Sequence, residues 1–489
     1  MLTIEEIKKF IDEDKTSKRK KQAEIGTRYY EHENDIKDYR IFFYNKDGEL
    51  KEDPNRLNIR PCSGFFSELI DQKTQFSLSN DKSIVDTDNT QLKELLKPYI
   101  DEELKSELKE LIRYGSIQGF SYLYSFKNEE DIIKFKFAEG LGIVEVESKY
   151  ASDKQEHIIY WYKDKLKGIG QEKDQNIVRI QVWDSQYTYY YVMINNTITA
   201  DNECELNPRP HTIYIDEKGR KYYDTFGFIP FFRYDNNRKQ ISDLKPIKEY
   251  IDDYDLIKYG LSDNILRLSD GYICVKGFQG DNIDELVYNV RNKKVIGLPS
   301  NSEGGFDVKT IDIPYEARIK AMEQDEKDIY RFGMGLNTSD LSEGNYTNGV
   351  NIKSRYSLLD MKCDKVTDNL KILLKKIMKV ILDEINKKNK TDFTLKDIYY
   401  NLNQRQTITN ELDNATIEQT KANTQQIKIN TLLNLQAKLD NETLMQNICE
   451  VLDIDYEEIK NKLPKNEDDI NNVENNLDSL INDEVIESG

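Results

Sequence analysis

Apolar positions are most regular in the second half of the chain. Ile352, Tyr356, Leu359, Cys363, Val366, Leu370, Leu373, Ile377 and Val380 alternate steps of four and three, which predicts one long helix with a single buried stripe. Run to Lys388, it spans roughly 55 Å. The stripe fits a core helix or a coiled-coil seam equally. Upstream, Ser242-Asp243-Leu244-Lys245-Pro246 reads as a helix start: a hydroxyl cap, then a proline in the first turn, where a missing N–H costs nothing. Ile247, Ile251, Tyr254, Ile257, Leu261, Ile265 and Leu268 keep one face apolar until Gly271, giving a rod of roughly 40 Å. A short β-type excursion follows in Tyr272–Val275, Lys294–Leu298 and, after a Gly304-Gly305 turn, Phe306–Val308. It is too small to fold alone. Pro314 then opens a second helix, Tyr315 to about Phe332, closed by Gly333 and Gly335, so the two rods are expected to run antiparallel.

The first half is mixed. Residues 1 to about 40 read as charged helix, with a basic cluster at Lys15, Lys18, Arg19, Lys20 and Lys21 expected on a solvated face. Leucines at 92, 95, 96, 104, 108 and 111 mark two amphipathic helices separated by Pro98. Strand patterns then dominate: Phe120–Ser125, His157–Tyr162, Ile177–Trp183, Tyr187–Ile194, His211–Ile215 and Phe228–Tyr234, with a turn at Asp216–Gly219. This predicts an antiparallel sheet packed with helices, an α+β body rather than a doubly wound one. Past the long helix come a brief strand in Asp397–Leu402 and three helices, Glu411–Lys438, Glu442–Leu452 and Tyr456–Leu463. From Lys465 eight acids face one lysine, which reads as a disordered tail.

Composition narrows the functional classes. The chain has 489 residues, 38% of them hydrophobic and 10% aromatic, enough for more than one packed sub-domain. A formal charge of −19 disfavours a protein that grips a phosphate backbone, because such affinity comes from Lys and Arg. Nucleic acid as a passing substrate is compatible with it, since a lumen lined by carboxylates would repel the polymer on all sides and prevent adhesion. Candidate carboxylates stand on both rods: Glu249, Asp252, Asp253 and Asp255 on the first, Glu323, Asp325, Glu326 and Asp328 on the second. Five scattered cysteines suggest neither a zinc site nor a disulfide framework, and a reducing cytosol fits them best. No signal core and no apolar run near ~20 residues points to a membrane. His32, His157 and His211 are too dispersed for a metal site or triad, and no phosphate-binding G-x-x-x-x-G-K-[ST] occurs. Neither a cofactor, nor a metal, nor catalysis is therefore expected.

Three segments carry a family resemblance. Asn58-Ile59-Arg60-Pro61-Cys62-Ser63-Gly64 leads into a helix with Ile70-Asp71-Gln72-Lys73. Phe228–Phe232 continues through Asn236-Asn237 to Ser242-Asp243-Leu244 and Tyr250–Asp255. Gly344-Asn345-Tyr346-Thr347-Asn348-Gly349-Val350 is followed by Lys353, Tyr356 and Leu359. In this order and spacing they resemble the portal protein of long-tailed bacteriophages, the ring at one capsid vertex through which DNA enters and leaves.

The resemblance implies a wing in 1–241, stem helices in 242–270 and 314–333, a small α/β clip in 271–313, a tunnel loop in 334–349, a long wing helix with its return in 350–404, and a helical crown in 405–464. The tunnel loop would present Thr338, Ser339, Asp340, Leu341, Ser342, Glu343, Gly344, Asn345, Tyr346, Thr347 and Asn348 to passing DNA. Clip contacts would fall on Lys276, Phe278, Arg291, Lys293 and Lys294. Implied partners are further copies in a ring of twelve, the terminase large subunit, a head-completion adaptor, the major capsid and scaffolding proteins, and transiting double-stranded DNA. Its place would be the virion, after assembly in the host cytoplasm. A rival reading is a cytosolic coiled-coil scaffold or adaptor dimerising through the long helix, and a third a nucleic-acid-processing enzyme.

Overall fold

In the computed structural model, the structure describes residues 2–44, 47–53, 59–80, 82–148, 155–166, 175–215, 220–268, 272–276, 305–309, 315–337, 349–402, 411–435, 441–452 and 456. The chain divides into two units: Met1–Gly344 with Lys353–Thr407, and Asn345–Ile352 with Ile408–Gly489.

The larger unit opens with two helices, α1 (Ile4–Thr16) and α2 (Lys18–Tyr30), joined through Ser17. Thr3 and Glu6 form a capping box at the start of α1, and the Ser17 hydroxyl caps α2. A hairpin of β1 (Phe42–Tyr44) and β2 (Leu50–Glu52) follows, then α3 (Phe65–Ser77), β3 (Val85–Asp86), α4 (Thr90–Leu96) and α5 (Glu102–Gln118). Asp101 caps α5, and Gly119, at φ 93°, closes it in a left-handed turn that an L side chain would resist. The chain then enters β4 (Phe120–Lys127), which is flanked by β5 (Ile133–Ala138) and, much later, β14 (Phe231–Asp235) in an antiparallel three-stranded sheet.

A second antiparallel sheet runs β6 (Ile143–Glu147), β7 (Gln155–Leu166), β8 (Gln175–Trp183), β9 (Tyr187–Ile194) and β10 (Thr197–Ala200), with β11 (Arg209–Pro210) also beside β9. Its apolar face is covered by α1: Ile7 and Ile11 pack on Val144, Ile159, Ile180 and Val182. A small hairpin joins β12 (Thr212–Ile215) to β13 (Lys221–Asp224); the expected turn at 216–219 lies outside the described residues. Helices and antiparallel sheets thus make the α+β body that the strand pattern predicts.

The basic cluster departs from expectation in part: Lys18 and Lys21 are exposed, as expected, but the residues between them are packed. Lys20 is fully enclosed rather than solvated: its Nζ donates to the carbonyls of Gly140, of Leu141 at 3.1 Å and of Ile143 at 2.8 Å, and lies 3.1 Å from Asp14. Burial lowers its pKa to about 8, against the pull of Asp14. Arg19 lies over the Phe120 ring, so this face of α2 is packed against the sheet and not against water.

Two more helices, α6 (Lys248–Leu268) and α7 (Tyr315–Gly333), flank the hairpin of β15 (Tyr272–Lys276) and β16 (Gly305–Lys309). The first starts later than Ser242. Asp243 N–H donates to Ser116 O at 2.9 Å, and Ser242 to Ile247 form turns, with Leu244 N–H on Ser242 Oγ. Asp243 is therefore held off the helical path, and Pro246 precedes the helix.

The long helix α8 (Gly349–Asn389) has 41 residues, or roughly 60 Å. Tyr356, Leu359, Cys363, Val366, Leu370, Leu373 and Ile377 are buried as the stripe predicts, while Val380 is only partly so. Leu374, Met378, Ile381, Leu382 and Ile385 are buried too, among Leu92, Leu108, Leu111, Leu123 and Phe232. From Val366 onward α8 is thus the spine of this unit's own core, and the coiled-coil reading fails because the seam is already filled. β17 (Tyr399–Tyr400) returns the chain to β3.

The smaller unit contains α9 (Glu411–Asn434) and α10 (Asn441–Leu452). Gln425 Nε2 donates to Val451 O at 3.3 Å, and Leu444 and Cys449 are buried. The third expected helix and the acidic tail lie outside the described residues, apart from Tyr456.

Candidate functional site

The site is the α6–α7 pair and the ground in which the segment after α7 is rooted. Pairing partners fix the direction of the two rods. Tyr250 stacks on Phe332 with centroids 5.3 Å apart, and Asn264, its amide oriented to satisfy its bonds, accepts from Arg318 at 2.8 and 2.9 Å. The start of one helix faces the end of the other, so they are antiparallel, as the sequence predicts. Near the body the pair is well buried: Ile247, Ile251, Ile329 and Tyr330 share a core with Tyr29, Phe66, Leu69 and Ile70. Further out the burial lapses. Ile265 is 48% exposed and Leu266 59%, and Leu256 and Tyr315 are also open. Among the described residues of the pair, the apolar side chains at its outer end, Ile265 and Leu266, are open, while most of those near the body are enclosed.

The carboxylates divide into two sets. Asp255 is completely buried, accepting from Asn34 Nδ2 at 2.7 Å and from Ser63 N–H at 2.9 Å. Burial raises its pKa against those bonds. Asp252 is bonded to Tyr29 Oη and, at 2.6 Å, to Lys248 Nζ. These two hold α6 to the body. Asp255 is accordingly removed from the candidate lumen acids: a carboxylate closed inside its own subunit faces no lumen. Glu249, Asp253 and Glu323 are exposed, and Asp325, Glu326 and Asp328 partly so. Asp325 is pushed up to about 6 by burial and by the charges of Asp253 across the pair and Asp328 on its own helix. Its Oδ2 is buried without a hydrogen bond.

At the end of α7 the backbone turns on Gly333-Met334-Gly335. Met334 adopts φ 54°, and Gly335 N–H donates to Tyr330 O at 3.0 Å, a left-handed helix stop. Leu69 of α3 presses on this turn so closely that a Cβ on Gly335 would come within 2.0 Å of Leu69 Cδ2. The next residue, Leu336, is held by the Gln72 side chain, and Asn337 donates to Glu326 Oε1 at 3.1 Å.

Beside Gln72 stands Lys73, also buried. Its Nζ donates to Asn236 Oδ1 and Asp243 Oδ2, both at 2.8 Å. Lys362 of α8 reaches the same Asp243 oxygen at 3.3 Å and donates to Gly333 O at 2.7 Å. Burial alone would raise the Asp243 pKa, but Lys362, Lys73 and Asn236 outweigh it and hold the carboxyl well below its usual range. For Lys73 burial dominates and lowers its pKa despite Asp243. One carboxylate thus ties together α3, the turn before α6, the end of α7 and α8.

The expected tunnel-loop residues Thr338, Ser339, Asp340, Leu341, Ser342, Glu343, Gly344, Asn345, Tyr346, Thr347 and Asn348 lie outside the described residues, as do Phe278, Arg291, Lys293 and Lys294 of the expected clip. Lys276 ends β15 opposite Gly305. What sequence reasoning missed is the ion cluster: Asp243 reads as part of a helix start, Lys73 only as part of a family-like segment, and Lys362 is not singled out. One signal was present. Lys73 follows Phe66, Leu69 and Ile70 at helical spacing, a charge on an apolar stripe.

Comparison with known proteins puts the chain in the class of phage head-to-tail connectors. Residues 8–470 match the family of phage portal proteins, SPP1 Gp6-like, and the chain belongs to that family. It is 27% identical over 394 residues to the portal protein of Bacillus phage SPP1, covering 79% of this chain and 74% of that one. With the portal protein of Clostridium phage phiCD119 it shares 25% identity over 394 residues, 78% of this chain and 82% of the other. A solved structure described as the neck of a native GTA particle computed with C12 symmetry covers 63% of this chain and 75% of its own, at 12% identity and a TM-score of 0.32, a likeness too distant to carry an argument.

Proposed function

We propose that this chain assembles into the portal ring at one capsid vertex, a closed head-to-tail assembly of twelve copies around a channel for double-stranded DNA. The observation that carries the reading is the α6–α7 pair: family membership supplies the ring, and the outer half of the pair keeps apolar residues open, at Ile265 and Leu266, that a neighbouring copy would cover. Cyclic closure satisfies every such face at once, which a monomer cannot do. The exposed carboxylates Glu249, Asp253 and Glu323 would then give the channel a repulsive wall along which DNA slides without adhering.

In this scheme the work is mechanical. The terminase large subunit drives DNA inward from the clip end, residues 271–313, where a head-completion adaptor docks after packaging. Residues 338–348 constrict the channel, residues 405–464 form the crown, and capsid and scaffolding proteins hold the ring at its vertex. Assembly takes place in the host cytoplasm, and the mature location is the virion. The chain itself performs no catalysis.

The test is packaging by particles that carry a portal lacking residues 339–346. Loss of packaged length, or leakage of DNA after packaging, is the expected result. Full packaging with normal retention would remove the role assigned to the loop.

A further inference from the structure

The cleft beside the end of α7 has a volume of about 180 Å³ and is walled by Lys73, Asn236, Asp243, Lys362, Lys365 and the backbone of Gly333, among others. Its charge does not balance. Lys73 and Lys362 are 2% and 9% exposed, and both turn to the one carboxylate on its wall among the described residues, Asp243. Lys365, three residues along α8 from Lys362 and therefore on the same side of that helix, adds a third ammonium at the open rim. Against three cations stands one anion.

The donor inventory agrees. An ammonium carries three N–H groups. Lys73 uses two of them, on Asn236 and Asp243, and Lys362 uses one on Gly333 with Asp243 nearby. Donors therefore remain on buried nitrogens at a solvent-connected cleft. Unbalanced charge in such a place is strongly unfavourable unless a counter-charge enters.

We propose that this cleft binds a phosphate-type oxyanion, held between Lys73, Lys362 and Lys365. A tetrahedral oxyanion offers acceptors in several directions at once, which matches ammonium groups arriving from two helices. The group is either free inorganic phosphate or a phosphodiester of nucleic acid, since both present the same oxygens. Bound there, the anion fastens α8 to α3 beside the end of α7. The inference does not depend on the channel reading and applies to monomer and ring alike.

The experiment titrates inorganic phosphate into the full-length protein by calorimetry at constant ionic strength, beside a Lys365→Gln variant and a control, Lys375→Gln, on the exposed face of α8. Saturable binding in the millimolar range or tighter is expected, weakened at least about fivefold by Lys365→Gln and unchanged by the control. Lys365 is at the rim, so its variant keeps the unfolding temperature of the parent in phosphate-free buffer. Dimethyl phosphate competing with equal strength assigns the site to the diester backbone; failure to compete assigns it to the free ion. Absence of saturable binding, or equal weakening by both variants, would overturn the proposal.

Discussion

Gln72 and Leu336 exchange two hydrogen bonds, both 2.9 Å: the Gln72 amide nitrogen donates to the Leu336 carbonyl, and the Leu336 N–H donates to the Gln72 amide oxygen. A side chain on α3 thereby imitates a strand partner for the backbone that leaves α7. Gln72→Ala removes both bonds and should destabilise the larger unit by about 1–3 kcal/mol. The sharper readout is amide exchange, which should accelerate at 335–337 and stay unchanged in β7–β9. Unaltered protection of those amides would show that Leu336 is held by something else.

Asp243 is the shared counter-ion of two enclosed lysines, so its removal strands both. Asp243→Ala should cost about 3–5 kcal/mol, more than an ordinary buried truncation of that size. Its folded pKa lies below the unfolded one, so its contribution is complete above the ordinary carboxylate range and is lost as pH falls through and below it. Urea unfolding between pH 7 and pH 3 should show the full difference between parent and Asp243→Asn at the higher pH and a partial loss of it at the lower, where the folded-state carboxyl is still largely ionised. Parallel behaviour of the two proteins across that range would contradict the assignment.

Asp325 has the opposite sign. Its pKa is raised to about 6, so the folded state holds the proton more firmly than the unfolded chain does. Its ionisation therefore works against the fold, and the penalty grows as pH rises from about 4 to 6 and then levels off. Asp325→Asn should stabilise at pH 7.5, by about 1 kcal/mol or less because the group is partly exposed and screened, and should be neutral at pH 4. Thermal unfolding of both proteins at the two pH values measures this; a larger benefit at pH 4 would reverse the sign.

The contact between Leu69 and Gly335 is a test of packing. Gly335→Ala places a methyl against Leu69 and should destabilise by about 1–3 kcal/mol. Leu69→Ala alone leaves a cavity and should cost about 2–5 kcal/mol. The double variant should be more stable than the sum of the two losses implies, because each change relieves the other. Simple additivity in chemical unfolding would mean that the two side chains do not meet.

How much of this was legible in the sequence depends on how local the cause is. The α6–α7 pair, the strands near 177–194 and the stripe from Tyr356 to Ile377 follow from periodicity, because one buried face imposes one repeat. From Leu374 onward the stripe widens to take in Met378 and Ile381 as well, since core surrounds α8 on more than one side. The start of α6 was misread because Asp243 answers to Lys73, 170 residues away, rather than to its own helix. Lys20 was read as solvated for a similar reason: its carbonyl partners lie more than a hundred residues downstream. Charged residues are almost never fully buried unless paired, and a single sequence does not display the pairing.

Electron microscopy of the purified full-length protein, with light scattering on the same sample, is the most direct test of the α6–α7 pair as an assembly surface. Closed rings with a central opening are expected, and Leu266→Asp should return them to single subunits whose unfolding temperature matches that of the parent monomer. A homogeneous monomer at high concentration, with no ring classes, would contradict the account.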